Sequence, residues 1–198
     1  MAAALIGYLI GSLPLGFLIA RGRGGVDLRR VGSGNVGAAN VYRSASRSLG
    51  VLVMLVDVAK GASGVLLARL LFPGAGGQAA LAGLGAIVGH VYPLWLRFAG
   101  GKGVAVACGV FSVLAPLATL SAAVCFVGVT WVTRYVSLGS VLASLTLPAV
   151  EWTRAGAGPE SLVAAAASVL IVFRHRGNLA RIARRTERRL GQRAVVNP

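Results

Sequence analysis

The chain has 198 residues, 56% of them hydrophobic and 13% charged, and a mean hydropathy of +0.77. A soluble domain carries about a quarter charged residues, so a water-soluble globule is excluded and one membrane domain without a soluble appendage is expected. Twenty basic residues against five acidic ones give a net charge of +15; in a soluble protein this would suggest nucleic acid, but in a chain of apolar runs it reads as basic loops on one side of a membrane.

Seven hydrophobic segments follow one another, at about 3–20, 50–71, 78–96, 103–115, 117–133, 138–151 and 160–174. The first lacks a basic region ahead of it, and its first charges, Arg21 and Arg23, come after it. This predicts a retained span with the N-terminus outside rather than a cleaved signal. Gly7 and Gly11, like Gly85 and Gly89, have the spacing that lets helices approach closely.

The loop 21–49 holds Gly32-Ser33-Gly34-Asn35-Val36-Gly37, formally G-x-G-x-x-G. The βαβ context of a dinucleotide site is absent, so that fold is rejected. The physical content remains: small residues expose backbone N–H groups as an anion-binding nest. Ser33, Gly34, Asn35 and Asn40 supply neutral hydrogen-bonding groups, and Arg43 and Arg47 supply cationic forks suited to phosphate. A solvated turn with topogenic arginines would explain the arginines but not the Ser-Gly-Asn cluster.

Asp57 and Lys60 stand three apart inside the second segment, where charge is costly unless paired, so a mutual ion pair is expected. His90, in Gly-His-Val-Tyr-Pro, is expected to pack or to support the site from behind. Gly100-Gly101-Lys102-Gly103 is no Walker A motif, since position 96 is Leu and Gly103 replaces Ser or Thr. Glycines flanking a lysine at a helix start nevertheless suit a phosphate, because free N–H groups, helix dipole and ammonium converge there. A flexible turn with one topogenic lysine is the competing reading. Pro116 separates the fourth and fifth segments, and Cys108 and Cys125 lie in apolar runs as reduced packing residues.

Ser137 and Ser140 enter the sixth segment; such serines commonly bond to the preceding turn, and these two can also face a shared site. His175 and Asn178, at the end of the last segment, fall one turn apart on one helix face. Beyond them Leu179, Ile182, Ala183, Thr186 and Leu190 recur at helical spacing with arginines between. Residues 178–198 are therefore expected to form a basic amphipathic tail against an anionic leaflet.

Stretches 21–49, 97–102, 134–137 and the tail from Arg174 hold all Lys and Arg except Lys60, Arg69 and Arg154. That asymmetry predicts an all-α polytopic bundle of about seven spans, N-terminus outside and C-terminus cytoplasmic. Five spans would orient the ends identically. Two His and five acidic residues make a metal-ligand cluster unexpected. No internal repeat is visible, which counts against the alternative of a small transporter of an organic phosphate.

With these pieces in order, the chain resembles the bacterial acyl-phosphate:glycerol-3-phosphate acyltransferase family nearly end to end. The resemblance rests on Gly11-Ser12-Leu13-Pro14, Gly32 to Arg43, Asp57-x-x-Lys60-Gly61, Gly89-His90-x-Tyr92-Pro93, Gly100 to Val104 and His175-x-x-Asn178. Ala39 and Val106 stand where the family often has Thr. The resemblance implies a single seven-span enzyme in the bacterial inner membrane, with three loops forming a cytoplasmic-side pocket. It implies acyl phosphate and glycerol 3-phosphate as substrates, 1-acyl-glycerol 3-phosphate and phosphate as products, and no cofactor. Ser33, Arg43, Lys102, Ser140, His175 and Asn178 are the implied substrate contacts, joined by the glycines and asparagines of the two loops. No nucleic acid and no obligatory protein partner is implied; membrane lipid is the surrounding partner. The HxxxxD pattern of acyl-CoA-dependent enzymes is absent, since Trp95 and Ala180 stand five residues after the two histidines. Acyl phosphate carries its own leaving group, so a serine nucleophile is unnecessary. The hydroxyl proton can pass to the donor phosphate or to His175.

The charge asymmetry generates a direct test of sidedness. In a background lacking Cys108 and Cys125, single cysteines at Ser46 and Arg193 are expected to stay unlabelled by impermeant thiol reagents in intact cells. Labelling of either from outside would reverse the orientation.

Overall fold

The computed structural model describes residues 1–192, which are helix and turn with no strand among them. The helices are α1 (Ala2–Ser12), α2 (Leu15–Gly24), α3 (Ala38–Ser44), α4 (Arg47–Leu71), α5 (Gly76–Val91), α6 (Val104–Leu114), α7 (Pro116–Thr133), α8 (Val136–Ala155) and α9 (Pro159–Ala183). Every hydrophobic segment is therefore helical. Five stretches are long and apolar enough to cross a membrane: Ala2–Gly24, Arg47–Leu71, Gly77–Leu96, Pro116–Thr133 and Pro159–Ala183. The 11-residue α6 falls short, since it rises only ~16 Å against a ~30 Å hydrocarbon core. α8 has the length but carries Ser137, Ser140, Ser144 and Glu151 on its buried face, which dilutes its hydropathy.

The first segment is not one helix. Pro14 has no N–H to continue the ladder, and the chain breaks at Leu13-Pro14 before resuming as α2. α1 packs on α5 through glycines from both sides. A methyl at Gly7 or Gly11 would overlap the carbonyl of Ala82 or Ala86, and one at Gly85 or Gly89 would overlap that of Ala4 or Tyr8. α4 and α6 meet likewise, Gly61 against Val106 and Gly109 against Val58. Such backbone approach gains dispersion contacts where lipid removes any hydrophobic drive. The Tyr8 hydroxyl donates to the Tyr92 carbonyl at 3.0 Å and Trp95 Nε1 to Ser12 Oγ at 3.1 Å, tying α1 to the turn after α5.

Ile87, Val106, Val110, Phe111, Val163 and Ile171 fill the central core, while Trp131, Val132 and Val169 are turned outwards. The amphipathic helix expected through Leu190 is corrected: α9 ends at Ala183. Arg185 is left-handed at φ 58°, and the chain folds back so that Leu190 N–H donates to the Arg134 carbonyl at 2.7 Å. After this turn Glu187 is buried, 7% exposed, and accepts from Ser137, Asn178 and Arg181, contacts that a continued α9 would not make. Residues 193–198 of the expected tail lie outside the described residues.

Candidate active site

Three separated stretches meet at one end of the bundle: the loop before α3, the loop before α6, and the end of α9 with its return. Asn35 Nδ2 donates to the Gly100 carbonyl at 3.3 Å, joining the first two, and Arg174 Nη2 donates to the same carbonyl at 3.3 Å. Lys102 Nζ donates to Asn178 Oδ1, joining the second and third. The pieces that the sequence suggested separately thus share one place.

Several expected contacts are occupied within the loops. Asn40 is 4% exposed; its Nδ2 is within 3.2 Å of the carbonyls of Leu28, Val31 and Asn35. Its Oδ1 accepts from Ser33 N–H at 3.0 Å and Ser44 Oγ at 3.3 Å. It pins the loop and has no donor left for a phosphate. Asn35 is similarly engaged, its Oδ1 accepting from Gly37 N–H at 2.9 Å. Gly34 N–H donates to the Val31 carbonyl at 3.0 Å, so the expected open nest is largely closed on itself. What this loop presents is the exposed Ser33 hydroxyl, which bonds no protein group among the described residues.

The glycine loop needs the same correction. Gly100 N–H donates to the Val91 carbonyl at 3.2 Å and Gly101 N–H to that of His90 at 3.1 Å. These two N–H groups, expected to be free, seat the loop on the end of α5. Gly103, at φ 86°, turns the chain into α6, whose first N–H groups have no intrahelical partner. The donors left over at this end are therefore the Lys102 ammonium and the N–H groups at the start of α6.

Around it lie Arg43, His175, Asn178 and Glu187. Arg43 is half-buried, makes no hydrogen bond among the described residues, and is held below its ordinary value by burial, with Glu187 partly compensating and Arg188 and Arg181 adding repulsion. His175 is 3% exposed. Its Nδ1 is 2.8 Å from the Ile171 carbonyl, which can only accept, so the proton sits on Nδ1 and the neutral ring keeps a lone pair on Nε2. Ser140 Oγ donates to the Val136 carbonyl at 2.9 Å, within its own helix. Its neighbour Ser137 reaches the cluster instead, donating to Glu187 Oε1 at 2.9 Å.

Sequence reasoning passed over two participants. Glu187 accepts from Asn178 Nδ2 at 2.6 Å and, through Oε2, from Arg181 Nε at 2.7 Å. Burial raises its pKa, but the bonds from Asn178, Arg181 and Ser137 prevail and hold it below the usual carboxylate value. An isolated acid within an arginine run was the available signal. Arg174, a topogenic charge by its place in the sequence, anchors Gly100 and stacks 5.6 Å from the Tyr92 ring centroid. Among the described residues there is no group of three His, Cys, Asp or Glu able to hold a metal. The site gathers cations, one carboxylate and amide groups: equipment to hold and neutralise phosphate.

The sequence matches the glycerol-3-phosphate acyltransferase family over residues 1–185. It is 48% identical to the glycerol-3-phosphate acyltransferase of Myxococcus xanthus, covering 95% of this chain and 98% of that one. It is 43% identical to that of Agrobacterium fabrum, covering 96% and 92%. Its fold is similar to crystal structures of PlsY, an integral membrane glycerol 3-phosphate acyltransferase. The glycerol 3-phosphate form superposes with a TM-score of 0.90 at 37% identity, covering 96% of this chain and 94% of that one. The lysophosphatidic acid form gives 0.87 at 35%, with the same coverage.

Lys102 gives the site a pH signature. Burial lowers its pKa from 10.5 to about 8; Glu187 opposes the shift, while Arg181, Arg43 and Arg174 add to it. The ammonium is complete below that value and lost above it. The destabilisation from burying the charge is present below about pH 8 and relieved as pH rises. Affinity for inorganic phosphate is expected to fall about tenfold for each unit above that pKa, as the charged fraction does. Lys102→Arg, charged throughout, is expected to flatten this fall; isothermal titration across pH measures both, and an unchanged slope in the variant would remove Lys102 from the phosphate site.

Proposed function

This chain belongs to the glycerol-3-phosphate acyltransferase family and is a membrane acyltransferase of phospholipid synthesis, and we propose that its acyl donor is acyl phosphate. The observation that supports this most is the convergence of Lys102, Arg43 and Asn178 beside His175 without a carboxylate behind either histidine in an HxxxxD arrangement. Acyl phosphate carries its phosphate on the reacting carbonyl itself, so both substrates bring phosphate to the point of reaction, where these donors are gathered; a coenzyme A thioester keeps its phosphates at the far end of the pantetheine arm.

In the proposed reaction the C1 hydroxyl oxygen of glycerol 3-phosphate attacks the acyl carbonyl carbon. The carbon–oxygen bond to the donor phosphate then breaks, and the hydroxyl proton leaves with inorganic phosphate. The other product is 1-acyl-glycerol 3-phosphate. Lys102 and the start of α6 hold a phosphate and stabilise developing negative charge, Arg43 and Ser33 hold the second, and Asn178 and His175 orient the hydroxyl. The donor phosphate serves as base in this reading. His175 Nε2 can accept a proton, but its Nδ1 is backed by a neutral carbonyl, which stabilises an imidazolium less than the carboxylate of a catalytic dyad.

The same reading extends to topology. The enzyme is a single domain that crosses the bacterial inner membrane about seven times, the short α6 counting as a span where the bilayer thins locally, N-terminus outside, with the site and the basic C-terminal stretch at the cytoplasmic face. The basic loops around the site support that sidedness.

Purified protein given palmitoyl phosphate is expected to release phosphate only when glycerol 3-phosphate is present; turnover with palmitoyl-CoA in its place would overturn the donor assignment. His175→Gln is expected to retain turnover within ~10²-fold, less than most losses of a general base, which span ~10²–10⁴-fold. A deeper loss with normal folding and substrate binding would make His175 the base and end the substrate-assisted route.

A further inference from the structure

Three buried ionisable side chains lie beneath the glycine loop, and the reaction described above uses none of them. Asp57 and Lys60 stand one turn apart on α4, and His90 ends α5; they are 3%, 6% and 8% exposed. Lys60 Nζ is 3.3 Å from Asp57 Oδ1 and 3.2 Å from His90 Nδ1, and it donates to the Leu13 carbonyl at 3.1 Å. An ammonium only donates, so His90 Nδ1 accepts and the ring proton lies on Nε2. Asp57 Oδ1, 3.5 Å from Nδ1, is joined to the ring through the shared ammonium. The cavity beside the cluster has about 20 Å³ of room, enough for about one water, so the cluster is no substrate pocket.

The other edge of the imidazole faces Gly101. A methyl there would overlap Nε2, Cε1 and Cδ2 of His90. Gly101 is not in the left-handed region, so its φ does not call for glycine, and the three atoms nearest to an added methyl all belong to the ring. Gly101 N–H also donates to the His90 carbonyl at 3.1 Å, and Lys102 follows directly. Resting on the phosphate role of Lys102 given above, we propose that His90 is a positioning residue for acyl transfer: clamped by Lys60 and Asp57, its ring is the stop against which Gly101 seats, and that seat sets the reach of Lys102. The ring faces Lys60, Asp57 and the Gly101 backbone; Lys102 in turn faces Asn178, Glu187, Arg181, Arg43 and Arg174.

The contact predicts a compensation that a purely structural histidine would not give. Gly101→Ala is expected to raise KM for glycerol 3-phosphate by roughly tenfold, within the range of coupling between touching residues. His90→Ala, itself impaired, opens the space a methyl needs. The double variant is therefore expected to have a lower KM than Gly101→Ala alone. KM and kcat are measured separately, with thermal stability in detergent as a control. Effects that multiply in the double variant overturn the proposal. His90→Ala also deprives Lys60 of an acceptor; if it fails to accumulate, His90→Asn keeps an oxygen near the Nδ1 position on a shorter side chain, and the same ordering is expected. Lys102→Met is the reference. An unchanged KM there refutes the phosphate reading itself, whereas a raised KM with multiplying single effects refutes only the role of His90.

Discussion

The ion pair between Asp57 and Lys60 is the constraint on which the rest of this structure turns. Charge within a membrane span is tolerated only when paired and given further polar contacts, and here the contacts come from a deliberate fault in the neighbouring span. Pro14 interrupts the first segment and leaves the Leu13 carbonyl without a helical donor; Lys60 supplies one at 3.1 Å. The carboxylate of Asp57 lies near Gly16, at the start of α2, where the positive end of the helix dipole favours it. Each half of the broken span thus meets the charge that suits it. The break and the ion pair explain one another, and removal of either would leave the other uncompensated in a medium of low dielectric.

The end of the bundle that holds Lys102 and His175 is governed by an excess of cations around one carboxylate. Glu187 binds Asn178, Ser137 and Arg181, and Lys102, Arg43, Arg174 and Arg188 crowd nearby. A single acid cannot neutralise that group. Burial is the larger cause that disfavours the ammonium of Lys102, and the surplus of cations adds to it against the pull of Glu187.

Much of this was legible in the sequence, and the boundary of legibility has a physical reason. Hydropathy and the distribution of Lys and Arg disclosed the helical segments, because those properties act residue by residue against lipid. Spacing disclosed that Asp57 would meet Lys60 and that His175 and Asn178 would share a face, because helical periodicity fixes such neighbours. Backbone hydrogen bonding was hidden. Nothing in Gly100-Gly101 reveals that their N–H groups end on Val91 and His90, or that Asn40 spends its amide on three loop carbonyls. The end of α9 at Ala183 was hidden for a related reason: the arginine periodicity continues, but burial of Glu187 outweighs it, and that burial depends on groups from α8 and α9.

The glycine contacts between α1 and α5 carry a consequence for biosynthesis. Tyr8 and Tyr92, which lock this interface, are separated by 84 positions. At a synthesis rate of roughly 5–20 residues per second, α1 leaves the ribosome some 4–17 s before its partner exists. During that interval α4, whose Gly64 lies beside Gly7, is already made, while the face that α5 later covers is open. The nascent chain is then most exposed to mispairing with other spans, and a helix with larger residues at the positions of Gly7 and Gly11 could not approach Ala82 and Ala86 as α1 does.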